Sequence, residues 1–267
     1  MIKMVATDID GTILNWNGVF SPAVVNCIKE LDKSGVKVVL VTGRMHESAR
    51  VMADELGLKT PIVSYQGGLV KEQGKTLYER YLTDDQAEKI IEWGKGENIH
   101  LNLYNDDILY SEQDDKEIRR YCNNQHTTYV VKPFCEIKKD RVNKILAIDY
   151  NNPDRINLYE NELPKIFPEL YIVKSTPYFL EFSNKEASKY CAVKFLQKYW
   201  NLKDEEILTI GDQNNDIALL EAGGIRIAMG NATGELKQIA NYITDTVQND
   251  GFVKAMEKFV FKTARTL

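Results

Sequence analysis

Val5–Leu14 reads VATDIDGTIL, an apolar run carrying Val5, Ala6 and Ile9 into which two aspartates, Asp8 and Asp10, are set just ahead of Gly11 and Thr12. Successive side chains of a strand alternate faces, so residues two apart share a side. Two carboxylates on one side of a strand repel each other, and burying either charge without a partner is costly. The stretch therefore demands compensation at the end of the first strand.

Outward from it, short runs rich in β-branched residues alternate with helical patterns. Ser21-Pro22 opens AVVNCIKELDKSG, with proline at an early helical position and Gly35 as the stop. VKVVLVT follows as a second strand, apolar enough to predict burial on both faces and hence a parallel sheet. A helix from about Met45 to Leu56 leads to PIVSY and the pair Gly67-Gly68. The same grammar resumes late in the chain. EASKYCAVKFLQKYW reads as a helix, EEILTIG as a strand, NDIALLEAGG as a helix ended by glycine, IRIAMG and NYITD as strands, and GFVKAMEKFV as a closing helix. Such alternation predicts an α/β fold with a doubly wound parallel sheet.

Between about Leu82 and Phe182 the texture becomes polar and tyrosine-rich. Helical DDQAEKIIEWGK and PDRINLYENELPKIF lie among alternating runs such as HLNLYNDDILYS, KILAIDY and YFLEF. Alternation implies sheets with one solvated face, so an α+β cap is expected inside the core. The expected boundaries are 1–82 for the first part of the core, 83–183 for the cap and 184–267 for the second part. The tail FKTARTL is weakly patterned and expected to fray.

The chain of 267 residues has a formal net charge of −5, which offers no basic footprint for nucleic acid or an anionic membrane. Cys27, Cys122, Cys135 and Cys191 are scattered, with no CxxC, and fit a reduced setting better than a zinc site or disulfide framework. No basic-then-apolar leader precedes the first strand and the apolar runs are too short to span a bilayer, so a cytoplasmic location is expected.

Ligands of open α/β sheets sit outside the carboxyl ends of the strands. There the sequence places Asp8-Ile9-Asp10-Gly11-Thr12, then Thr42-Gly43-Arg44, then Gly211-Asp212-Gln213-Asn214-Asn215-Asp216. Hard oxygen donors in that number suit Mg²⁺, which takes a few carboxylates and keeps several waters. A dication would offset the repulsion between Asp8 and Asp10. One aspartate would then be free to attack phosphorus, and the other to give and take the proton. The amides of a Gly-Thr turn, a threonine hydroxyl and a lysine would hold the phosphoryl oxygens.

DIDGT, the strand-terminal Thr42 and GDQNND together resemble the three strand-end motifs of the haloacid dehalogenase superfamily. The Asn-Asp after Gly-Asp, with an insert of this length, looks most like its Cof-type hydrolases (subfamily IIB). The resemblance runs along the whole chain and implies a Mg²⁺-dependent phosphatase acting on sugar phosphates or compact phosphorylated cofactors. By its motifs Asp8 matches the nucleophile and Asp10 the acid/base. Ile9, Thr12, Thr42, Gly43 and Asn215 match the phosphate side. Asp212 matches a metal ligand beside Asp8 and the backbone carbonyl of Asp10, and Asp216 an acid of the metal site. The lysine falls on Lys189 in Ser188-Lys189-Tyr190, where the family usually has glycine after the lysine, with Lys185 as rival. Gln66 likewise stands where Asn-Gly-Ala is commoner.

Arg44 reads equally as a phosphate or substrate contact or as a helix-start charge. His46, His100 and His126 are scattered and not expected to be ligands, although His46 lies near the edge. Asp106-Asp107 and Asp114-Asp115 read as turns or caps. Two other functions share these features. A phosphomutase would return the phosphoryl group to a sugar, and a phosphorylated signalling module would keep it. The expected partner is a small-molecule phosphate ester, with no nucleic acid and no membrane; the sequence is silent on oligomeric state.

Overall fold

The computed structural model describes residues 1–125 and 127–262; His126 and the end of the FKTARTL tail lie outside them. The chain divides into two compact units, Met1–Tyr78 with the residues from Ser188 onward, and Glu79–Ala187.

In the first unit a parallel sheet runs in the order Tyr242–Ile243, Ile225–Ala228, Ile207–Gly211, Met4–Thr7, Lys37–Leu40. Met4–Thr7 and Ile207–Gly211 are wholly buried, in keeping with their largely apolar runs in strands covered on both faces. From the first strand the chain steps one way to Lys37–Leu40, and it later returns on the other side at Ile207–Gly211. The strand order thus reverses between Met4–Thr7 and Ile207–Gly211, the point of an open α/β sheet where ligands bind outside the carboxyl ends of the strands. Helices Pro22–Lys33, His46–Leu56 and Lys189–Tyr199 bury Leu31, Ala53, Val193 and Leu196 in the core. Ser21 and Ser188 cap the first and last of these by accepting from Val24 N and Cys191 N.

Three local expectations change. The first strand stops at Thr7, so Asp8 and Asp10 do not share a side of one strand. Beyond it, Gly11 turns with φ +79°, and Thr12, Ile13 and Leu14 fold their amides back onto the Ile9 carbonyl. Ile62–Ser64 joins the parallel sheet by a single bridge, Val41 to Val63, and otherwise pairs antiparallel with Leu69–Glu72. That strand and Lys75–Glu79, which the sequence analysis did not include, flank a turn at Gln73-Gly74 with both φ angles positive. The closing helix, Gly251–Met256, runs on as π-type turns over Glu257–Phe261.

The second unit is a six-stranded, mostly antiparallel sheet with helices Asp84–Gly96 and Pro153–Ile166 against one face. Ile90, Ile91, Ile156 and Leu163 meet Leu103, Ile145, Leu180 and Phe182 there. Asp106-Asp107 makes the positive-φ turn of a hairpin, and Asp115 caps the helix Lys116–Gln125 by accepting from Ile118 N. Among the described residues no helix is long and apolar enough to cross a membrane.

Candidate active site

Asp8 and Asp212 each follow the last residue of a neighbouring central strand, and Thr7 is level with Ile210. The sheet itself therefore brings the two carboxylates together across 204 positions of sequence (212 − 8). Asp216 completes the group from the turn that follows: Asp8, Asp212 and Asp216 each offer an oxygen within 4.8 Å of the others, and all three residues are buried. Gly211 makes room for this, since a Cβ there would lie 2.5 Å from Asp216 Cγ.

Lys189 enters as the first residue of its helix and is completely buried. Its Nζ donates to Asp8 Oδ1 at 2.7 Å and to Asp216 Oδ1 at 2.6 Å. The other Asp216 oxygen accepts from the amides of Asp212 (2.9 Å) and Gln213 (3.1 Å), so this carboxylate shapes the loop and anchors the lysine at once. Burial, then Asp216, push the Asp8 carboxyl well above the usual range despite Lys189. The same two causes push Asp212 up to about 7. Burial works against the charge on Lys189, but Asp216 and Asp8 outweigh it and raise its pKa.

Asp10 is placed differently. Its carboxylate leaves the cluster and takes both prongs of Arg44, Nη2 to Oδ1 at 2.6 Å and Nε to Oδ2 at 2.7 Å. Arg44 N donates to Thr42 Oγ1 at 3.1 Å, and Thr12 Oγ1 donates to Asp212 Oδ1 at 3.3 Å. Ile9 contributes backbone only, its side chain being buried in the core. Asn215 Nδ2 donates to Gln66 Oε1 at 3.2 Å, while Asn215 Oδ1, also buried, has no hydrogen-bond partner among the described residues. Lys185 is exposed and donates to the Pro168 carbonyl. His46 is buried beside Ser64, and His100 lies between Asp115 and Asn102.

Sequence reasoning missed Asn231. Its Nδ2 reaches the Gly11 carbonyl (2.9 Å) and Asp212 Oδ2 (3.3 Å), and its Oδ1 accepts from Val247 N. It lies three residues past the strand Ile225–Ala228, where the strand-end rule, carried one strand further, would have found it.

The residues present fit a divalent cation. Three buried carboxyl groups share one ammonium, the donors are hard oxygens, and Gln213 and Asn231 orient the Asp212 carboxylate.

A doubly wound sheet with a buried acid-and-lysine cluster at its switch point is an architecture that phosphoryl-transfer proteins use, and comparison with known proteins names the family. A family model for haloacid dehalogenase-like hydrolases matches residues 5–256, so the chain belongs to that family. Phosphatase YwpJ of Bacillus subtilis is 27% identical over 96% of this chain and 99% of its own length. The B. subtilis 5-amino-6-(5-phospho-D-ribitylamino)uracil phosphatase YwtE is 28% identical, with 94% of this chain and 95% of that protein covered. Among solved structures, a Thermotoga maritima protein superposes with a TM-score of 0.82 at 31% identity, covering 97% of each chain. The chain is a phosphatase of the haloacid dehalogenase-like family.

Proposed function

We propose that this phosphatase is Mg²⁺-dependent and hydrolyses small phosphate monoesters through an aspartyl-phosphate on Asp8. The observation that carries the reading is the buried placement of Asp8, in contact with Lys189 and within ligand distance of Asp212 and Asp216. Asp8 and Asp212 would hold the metal together with the backbone carbonyl of Asp10, with Asp216 supporting them. Bound there, Mg²⁺ supplies positive charge to the phosphoryl oxygens and to the nucleophile's own carboxylate.

An Asp8 oxygen attacks phosphorus, the bond to the leaving oxygen breaks, and Asp10 gives that oxygen its proton. Water then attacks the same phosphorus and Asp10 takes its proton. The bond to Asp8 breaks, releasing inorganic phosphate and a free carboxylate. Lys189 balances charge on the phosphoryl group throughout, and Thr12, Thr42, Gly43 and Asn215 line its path. The chemistry belongs to residues 1–82 and 184–267.

The substrate class is a sugar phosphate or a compact phosphorylated cofactor or precursor. Support comes from relatives named for a phosphorylated ribitylaminouracil, and from a net negative charge that gives no steering toward polyanions. Reduced cysteines and an acidic composition fit action in the cytoplasm.

The test is phosphate release from a panel of esters, with Mg²⁺ and with excess chelator. Acid-quenched enzyme should carry phosphate on the Asp8 peptide. Asp8→Asn should abolish both signals in a protein that still folds; turnover by that variant would refute the covalent route.

A further inference from the structure

Trp16 is the large apolar side chain that the first unit leaves most conspicuously bare beside its chemistry. It is 60% exposed, with no aromatic or cationic partner among the described residues. A single exposed aromatic is unremarkable on a protein surface, so its position has to decide the matter. Asn15–Val19 is a stiff turn: Asn15 Oδ1 accepts from Asn17 N and Val19 N, and Gly18 takes the positive φ that closes it. Leu14 and Phe20, both buried, bridge to each other and anchor its legs, and Leu14 also bridges to Asp10. The turn fixes the backbone from which the Trp16 side chain projects.

The tip of the ring stands next to Gly11. A Cβ built there would meet both Asp212 Oδ2 and Trp16 Cη2, the latter at 2.7 Å. The ring edge and the cluster carboxylate thus stand at the same bare Cα, one residue past Asp10. In the proposed reaction Asp10 marks the position of the leaving oxygen, so an alcohol departing beside it passes an exposed indole.

We infer that Trp16 is a specificity-determining residue, whose exposed ring stacks on the leaving group and selects phosphate esters whose alcohol carries a planar ring. This rests on the phosphatase mechanism above. An offset-stacked contact of two flat rings adds attraction beyond buried area, which an acyclic polyol does not share.

The experiment compares kcat/KM for pyridoxal phosphate and for glycerol phosphate in the wild-type protein, Trp16→Ala and Trp16→Phe. Trp16→Ala should lower kcat/KM for pyridoxal phosphate about tenfold, mainly through KM, and leave glycerol phosphate within about twofold; Trp16→Phe should recover most of the loss. Equal losses on both esters, or no loss on either, would overturn the assignment while leaving the phosphatase reading in place. A wild-type protein that releases phosphate from sugar phosphates but not from pyridoxal phosphate would overturn the assignment and leave the phosphatase reading in place.

Discussion

Arg44 grips Asp10 by both carboxylate oxygens, at 2.6 and 2.7 Å, with the guanidinium largely buried and the carboxylate half exposed. A planar fork on a carboxylate is the geometry that lysine cannot reproduce. Donation of a proton from Asp10 to the leaving oxygen requires this pair to open. Asp10→Asn should therefore cost at least about tenfold more with an alkyl phosphate than with p-nitrophenyl phosphate, whose leaving group needs little protonation. Equal losses of Asp10→Asn on both esters would show that Asp10 does not carry that proton.

Lys189 and Lys185 make a contrasting pair. Lys189→Ala removes the ammonium between Asp8 and Asp216 and should lower kcat by two or more powers of ten, the scale of a lost transition-state contact. It should also make the metal-free protein easier to melt, because the carboxylates lose their counter-charge. Lys185→Ala removes only an exposed bond to the Pro168 carbonyl and should stay within about twofold. Steady-state rates and thermal melts of the two variants, side by side, decide it; the reverse ranking would sink the assignment.

The acidic cluster predicts an unusual pH response. Asp8 and Asp212 bind their protons more tightly folded than unfolded, because burial and then Asp216 raise them, Asp212 to about 7. Their stabilisation is complete below the unfolded value near 4 and is lost as pH rises through the folded values. Partly exposed Asp245, held down to about 2 by Lys254, acts below that window. In chelator, Tm should fall between about pH 5 and pH 8. Added Mg²⁺ should raise Tm more at pH 8, because it competes with protons for the same oxygens. A chelated Tm that climbs across this range would contradict the cluster's electrostatics.

Backbone placement behind the site is equally testable. Tyr65, Gln66 and Gly67 take φ of +52°, +57° and +103° in succession, and the first two are buried. A Cβ on Gly67 would strike the Ser188 carbonyl and lie 2.8 Å from Lys189 N. This turn therefore sets where the lysine helix begins and, through Gln66, where Asn215 points. Gly67→Ala should cost about 1–3 kcal/mol or more of stability and lower kcat with it. A variant with normal melting and normal kcat would show that the turn has slack.

Much of the fold was legible because its signals are local. The strand VKVVLVT and its partners are recognisable by near-continuous apolar character, and the helix Pro22–Lys33 by its capping serine and early proline. The hairpin after Gly68 escaped notice because its middle is polar, and only the Gln73-Gly74 turn announces it.

By itself, then, the sequence determined an α/β core with acids and glycines at its strand ends, since alternation, apolar runs and turn residues are written in neighbouring positions. Only the tertiary structure decided which of those acids meet. It sent Asp8 into a cluster with Asp212, Asp216 and Lys189 and turned Asp10 away onto Arg44, although the two aspartates are adjacent but for Ile9. It also added Asn231, and it set an indole over Gly11. The reason is physical: burial and turn preference act over a few residues, whereas convergence depends on strand order, on the point where the sheet reverses and on where each helix docks. Those are properties of the packed chain, fixed by contacts between residues far apart in the sequence.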